Sequence, residues 1–172
     1  MPAADDPASA SGVRAVGRRR GRVIALATVV RTLAVALWIG GMAALDFLDA
    51  PARFELLNRN DAVRVGQVLF ERFNRVELAL AVIALCAAWL ARSAQWTIWL
   101  TALMLILVAV QSVYLTPAIT RLAQGLDFVN RVPGDPRYDA IRPLHAAYAA
   151  LEVVVFAAGV VVLAAWARGA RG

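Results

Sequence analysis

Residues 37–54 read LWIGGMAALDFLDAPARF, and this stretch decides the fold of the chain. It closes an apolar run over residues 23–48, which as a helix is about 39 Å long and exceeds a hydrocarbon core of about 30 Å. Asp46 and Asp49 then interrupt the apolar sequence, and Pro51 follows them. The stretch therefore predicts the end of a first transmembrane helix at one face of a membrane.

Three residues in this stretch are candidates for helix packing. Gly40 and Gly41 remove side chains in mid-span, and in lipid such small residues let a neighbouring helix approach closely. Trp38 fills the adjacent face. We expect these residues to lie at helix contacts, within the chain or between copies of it.

The composition supports an integral membrane protein with no separate soluble domain. Of 172 residues, 61% are hydrophobic, and the mean hydropathy is +0.65. All 18 basic residues are arginines, and they stand between apolar runs rather than along one soluble face with aromatic residues. This pattern indicates membrane orientation and excludes a nucleic-acid partner.

Hydropathy and turn residues predict an all-α, four-helix membrane bundle, with an amphipathic helix over residues 61–75 leading into the second span. Pro143 suits the first turn of the fourth helix. The predicted spans are about 23–48, 76–91, 96–116 and 143–167, within a domain over residues 22–168. Residues 1–21 are predicted to be a disordered arginine-rich tail, and residues 169–172 a short one.

Four spans place both termini on one side of the membrane. The arginine count is nearly equal on the two sides, but the dense cluster before the first helix favours termini in the cytoplasm. We therefore expect a multi-pass protein of the plasma (inner) membrane of a bacterium.

Polar residues from all four helices fall in the membrane half opposite the termini. On the fourth helix, His145, Tyr148 and Glu152 share a face by helical spacing. The candidate polar cluster is Asp46, Asp49, Glu77, Gln111, Tyr114, His145, Tyr148 and Glu152.

This cluster has two interpretations. Ionisable residues inside a membrane indicate function by default, and these could bind a cation or relay protons. Alternatively, they are polar glue that holds the helices in register. His145 is the single histidine and the three methionines are scattered, so the sequence predicts no metal or haem site within one chain, and no cofactor or catalytic residue.

Four motifs resemble a known membrane-protein family: LWIGGMAALDFLDAPARF, VGQVLFERFNRVE, YLTPAITRL and RPLHAAYAALE, in this order over residues 33–163. The chain resembles the family of unknown function typified by transmembrane protein 205. The resemblance implies a four-helix membrane domain. The family pattern falls on Trp38, Gly40, Gly41, Pro51, Phe54, Phe70, Asn74, Pro117, Leu144 and His145, and the chain departs from it at Arg142 and Tyr148.

Two functions follow as hypotheses. In the first, the cluster binds or passes a small solute, metal ion or proton, in a protein that pairs with copies of itself or with another membrane protein in the lipid bilayer. In the second, the chain is an accessory or structural subunit of a membrane complex. A membrane enzyme ranks third, because no nucleophile or cofactor motif accompanies the acids, and we expect no enzymatic activity.

Overall fold

The computed structural model describes the backbone of residues 7–169 and the side chains of residues 17–169. Helices account for almost all of this part of the chain. They are α1 (Pro7–Ala44), α2 (Ala50–Leu56), α3 (Arg59–Leu90), α4 (Gln95–Val110), α5 (Thr116–Ala123) and α6 (Pro136–Gly169), with π-helical segments at Leu45–Asp49 and Gln111–Leu115.

The helices join into four long rods, each long and apolar enough to cross a membrane. The rods are Gly17–Leu56, Arg59–Leu90, Gln95–Ala123 and Pro136–Gly169. The predicted all-α membrane bundle is confirmed, including the amphipathic helix that leads into the second span as the first half of α3. The chain is a multi-pass membrane protein.

Two helices begin earlier than the sequence predicts. α1 begins at Pro7, inside the predicted tail over residues 1–21, where alanine and arginine both have high helix propensity. Residues 1–6 of that tail lie outside the described residues, as do residues 170–172. α6 begins at Pro136 instead of Pro143, so Pro143 stands inside the helix.

The two π-helical segments explain why the first and third rods continue past a proline. The N–H of Ala50 donates to the carbonyl of Leu45, and that of Thr116 donates to the carbonyl of Gln111. Each bond spans five residues and widens the turn just before Pro51 or Pro117. A wider turn relieves the clash between a proline ring and the carbonyl four residues earlier, so the helix need not end.

The four rods form a ring in which α1 contacts α3 and α6, and α4 contacts α3 and α6. An apolar core fills the ring. Its fully buried side chains include Trp38, Met42, Met104 and Val108. A second apolar cluster lies at the end where α5 meets α6.

Arg31 is held at the opposite end of the bundle. Its guanidinium lies 4.6 Å from the centre of the Trp166 ring and donates to the Ser93 hydroxyl in the turn between α3 and α4. A long side chain that reaches an interfacial turn in this way avoids most of the cost of a charge in hydrocarbon.

The predicted packing residues divide into two groups. Trp38 is fully buried, and a Cβ atom at Gly41 would lie 2.6 Å from the Phe73 ring, so both are at helix contacts within the chain. Gly40 instead faces outward with open space around it. Gly159 makes a further close contact, because a Cβ atom there would lie 2.6 Å from Cγ1 of Ile39.

The two glycine environments predict opposite effects of the same substitution. Gly159→Ala should destabilise the protein by about 1–3 kcal/mol, because the new methyl group overpacks a buried contact. Gly40→Ala, the matched control, should be neutral or slightly stabilising, because it meets nothing and raises helix propensity. Thermal denaturation in detergent measures both. A loss of stability in Gly40→Ala would contradict the outward placement or reveal a contact with another chain.

Candidate functional site

A cavity of about 610 Å³ opens at the end of the bundle where the helices extend furthest beyond the core. Its volume is in the range typical of small-molecule sites. The inner end contains Asp46 and Glu152, and the walls are mostly apolar. The mouth contains Arg59, Arg131 and Arg142.

The exposed tryptophans mark one membrane boundary, and this boundary indicates the depth of the cavity. Trp89, Trp96 and Trp99 are exposed around the turn between α3 and α4, as in an aromatic belt at one interface. A crossing takes about 20 residues, which places the opposite boundary near the end of the π-helical segment Gln111–Leu115. Gln111 therefore lies about one turn inside the hydrocarbon, and the mouth of the cavity lies outside it.

Asp46 and Glu152 both line the inner end of the cavity, and their carboxyl groups lie close to each other. Asp46 stands in the π-helical segment after α1, and Glu152 stands on α6; both are half-buried. Two carboxyl groups can hydrogen-bond only when one of them holds a proton. Without that proton, the pair needs a positive group to offset its repulsion.

Glu77 lies behind this pair and is nearly sealed from solvent. It is 2% exposed, and the indole Nε1 of Trp38 donates to its Oε1 at 2.9 Å. The amide of Asn74 completes the environment when its oxygen accepts from the Thr116 hydroxyl at 2.7 Å and its nitrogen donates to Oε2 of Glu77 at 3.2 Å. A buried carboxyl group thus has a donor for each oxygen.

Gln111 and Tyr148 join the third rod to the fourth. Gln111 Nε2 donates to the backbone carbonyl of Tyr148 at 3.2 Å, and the Tyr148 hydroxyl lies 3.0 Å from the side-chain amide of Asn74. The Tyr148 ring meets Phe70 edge to face. Five of the eight predicted residues, Asp46, Glu77, Gln111, Tyr148 and Glu152, therefore form a group contributed by all four rods.

The other three predicted residues have different surroundings. Tyr114 is 66% exposed on the outside of the bundle, although Gln111 and Leu115 of the same π-helical segment are buried. Asp49 makes an ion pair with Nε of Arg53 at 2.6 Å. His145 lines the cavity and is exposed to it.

Arg53 and Asn74 belong to the site, although the polar pattern did not single them out. Arg53 stands four residues after Asp49, a spacing that indicates an ion pair only if the helix continues through Pro51. Asn74 precedes Glu77 by three residues and so shares its face of α3. These two spacings were available signals, and the family pattern described above also falls on Asn74.

A docked loop forms part of the cavity wall. Asn60 Nδ2 donates to Oδ1 of Asp127 at 2.8 Å, and the N–H of Phe128 donates to Oδ1 of Asn60 at 2.6 Å. The Tyr138 hydroxyl donates to the carbonyl of Asp127 at 2.6 Å. These bonds hold Phe128 and Tyr138 against the cavity.

Metal ligation is not supported by side-chain geometry. Within residues 17–169, no three histidine, cysteine, aspartate or glutamate side chains stand close enough to hold a metal ion.

Asp127 gives the loop a predictable response to pH. A backbone hydrogen bond from Asn130 and a side-chain bond from Asn60 hold the pKa of its carboxyl well below the usual range. A lowered pKa contributes stability above the unfolded value of about 4, which is lost only as pH falls through the lower folded value. Amide exchange at Val129 and Asn130, corrected for intrinsic rates, should therefore show unchanged protection between about pH 7 and pH 5. Protection lost within that interval would contradict the assignment.

The bond between Trp38 and Glu77 predicts a stability effect that can be isolated. Trp38→Phe should destabilise the protein by about 1–3 kcal/mol, because it leaves a buried carboxyl oxygen without its donor. Trp99→Phe is the matched control, since Trp99 is 67% exposed on the outer surface. Thermal denaturation in detergent compares them, and equal stability of the two variants would contradict the bond.

Comparison with known proteins identifies one family. A search of curated proteins and a search of solved structures found no match. The sequence profile of a domain of unknown function (DUF4149) matches residues 33–126, which include Asp46, Glu77 and Gln111 and end before α6. The chain belongs to the DUF4149 family.

Proposed function

We propose that this membrane protein binds a small solute with a positively charged group, or a proton, from one membrane face. The observation that supports this proposal is the Asp46–Glu152 pair at the inner end of a cavity of about 610 Å³. Two acids in contact at the edge of the hydrocarbon attract positive charge strongly, because little water screens them.

The polar cluster serves two purposes in this proposal. Glu77, Asn74 and Gln111 are almost completely buried, and each is hydrogen-bonded within the chain. This buried part is the polar glue between the rods. Asp46 and Glu152 face the cavity, where a ligand can reach them.

Binding is favoured over passage across the membrane. Beyond the inner end of the cavity, the ring is filled by an apolar core that includes Trp38, Met42 and Met104. A charged solute that crossed this core would lose its hydration without gaining a partner. The proposal includes no catalytic step.

The setting of the protein is proposed on sequence grounds. The arginine cluster before the first span supports termini in the cytoplasm of a bacterium and an inner-membrane location. The outward face of Gly40 is the surface we propose for pairing with a second copy or another membrane protein. The four motifs support kinship with the family typified by transmembrane protein 205.

Charged thiol reagents test the proposal. In a Cys86→Ala background, Ala149→Cys places a thiol on the cavity wall, one turn before Glu152. In phosphatidylcholine nanodiscs, each labelling rate is divided by the rate of the same reagent with a free small thiol. After this correction, the cationic trimethylammonium-ethyl methanethiosulfonate should label Ala149→Cys at least about threefold faster than the anionic sulfonato-ethyl reagent. Adding Glu152→Gln should reduce this preference.

Glu55→Gln is the matched control, because Glu55 is exposed on α2 and does not line the cavity. It should leave the preference for the cationic reagent unchanged. Equal labelling by the two reagents, or no labelling of a correctly folded variant, would overturn the proposal. A dry, unreactive inner end would favour the accessory-subunit hypothesis.

A further inference from the structure

We infer that the outer part of the same cavity binds an anionic group, a phosphate or a carboxylate, so that the full ligand carries both charges. The requirement for a positive charge at the inner end rests on the proposed function. The anion site depends on different residues, at the mouth and on α2.

Arg53 is the buried side chain of this site, and contacts within the protein hold it in place. It is 7% exposed and lines the cavity. Its Nε pairs with Asp49, and its Nη1 donates to the carbonyl of Ala62 at 3.2 Å. Among the described residues, no hydrogen-bond partner contacts its Nη2, which leaves a donor for a ligand oxygen.

The surroundings hold the Arg53 guanidinium in place. It lies 5.8 Å from the centre of the Phe70 ring. Gly66 gives it room, because a Cβ atom there would overlap Nη1. A guanidinium fixed in this way loses little side-chain entropy on binding and presents a planar fork that matches carboxylate or phosphate.

Three exposed arginines at the mouth add to the positive field. Arg59, Arg131 and Arg142 line the cavity, and Arg131 lies over the Tyr138 ring. Asp139 is the acid among the lining residues at this end. The mouth is therefore positive on balance, whereas the inner end contains Asp46 and Glu152.

The order of charges also constrains the ligand. Ten residues of α6 separate Arg142 from Glu152, which is about 15 Å along the helix. A zwitterionic phospholipid in the bilayer carries its amine outside its phosphate, whereas this cavity would take the positive group deeper. The arrangement thus favours a ligand that enters from water with its cationic end first.

Labelling at the mouth tests the inference. In the Cys86→Ala background, Val63→Cys places a thiol on the cavity wall, one turn after Arg59. In phosphatidylcholine nanodiscs, the anionic reagent should label it faster than the cationic reagent once each rate is divided by the rate of that reagent with a free small thiol. Arg59→Gln and Arg142→Gln should each reduce the ratio of the two rates by about threefold. Arg53 stays unchanged in these variants, because it also anchors Asp49.

Arg72→Gln is the matched control, since Arg72 is exposed on α3 and does not line the cavity. It should leave the ratio unchanged. Loss of the anionic preference in Arg72→Gln but not in Arg59→Gln or Arg142→Gln would assign the effect to general surface charge and overturn the inference.

Competition identifies the source of the anion. Inorganic phosphate should slow labelling of Val63→Cys by the anionic reagent more than sodium chloride of equal ionic strength does. Protection by phosphatidylglycerol instead, normalised to a thiol at the exposed loop residue Val132→Cys, would assign the site to a lipid headgroup. Either protection supports an anion site, whereas protection by neither, with equal reagent rates, overturns it.

The inner and outer thiols separate the two proposals. A cationic preference at Ala149→Cys without an anionic preference at Val63→Cys leaves the proposed function and overturns this inference. The reverse pattern leaves an anion site and overturns the proposed function.

Discussion

The structure depends on one constraint: a polar group that enters the hydrocarbon must find its partner inside the protein. Glu77 satisfies it through Trp38 on α1 and Asn74 on its own helix. Gln111 satisfies it through the backbone of α6. Trp38 and the α6 backbone belong to other rods than the groups they bind. These hydrogen bonds therefore also fix which rods are neighbours and at what height they meet.

The turns that precede Pro51 and Pro117 each contain a polar residue of the cluster. Asp46 and Gln111 both stand in the wide turns that allow the helix to continue past Pro51 and Pro117. Such turns change the direction of side chains relative to a regular α-helix, and they recur at functional sites. The same turns extend the rods beyond the core, and the cavity lies between these extensions.

The sequence predicted the architecture well, because long apolar runs and helical periodicity report directly on membrane helices. It also brought together Asp46, Glu77, Gln111, Tyr148 and Glu152, since helix polarity alone places them at one end. The sequence predicts an end of the first span at Pro51, whereas the helix continues, and the ion pair between Asp49 and Arg53 depends on that continuation. Tyr114 was grouped with the cluster by its height in the membrane, but height alone does not tell which face of a helix a residue takes, and Tyr114 faces outward while Gln111 is buried.

Within the polar cluster, the position of a residue separates a structural role from the proposed binding role. Substituting a fully bonded residue such as Glu77 leaves a buried donor without a partner, so the loss appears as instability. Asp46 and Glu152 instead lie close together at the cavity, so in the proposed function a cation can take the place of a proton between them. If the two acids served only the stability of the fold, an amide side chain in place of one of them would stabilise it more. An amide donates and accepts hydrogen bonds without first having to bind a proton. In the proposed function, two acids at the end of an open cavity serve instead to exchange positive charge with a ligand.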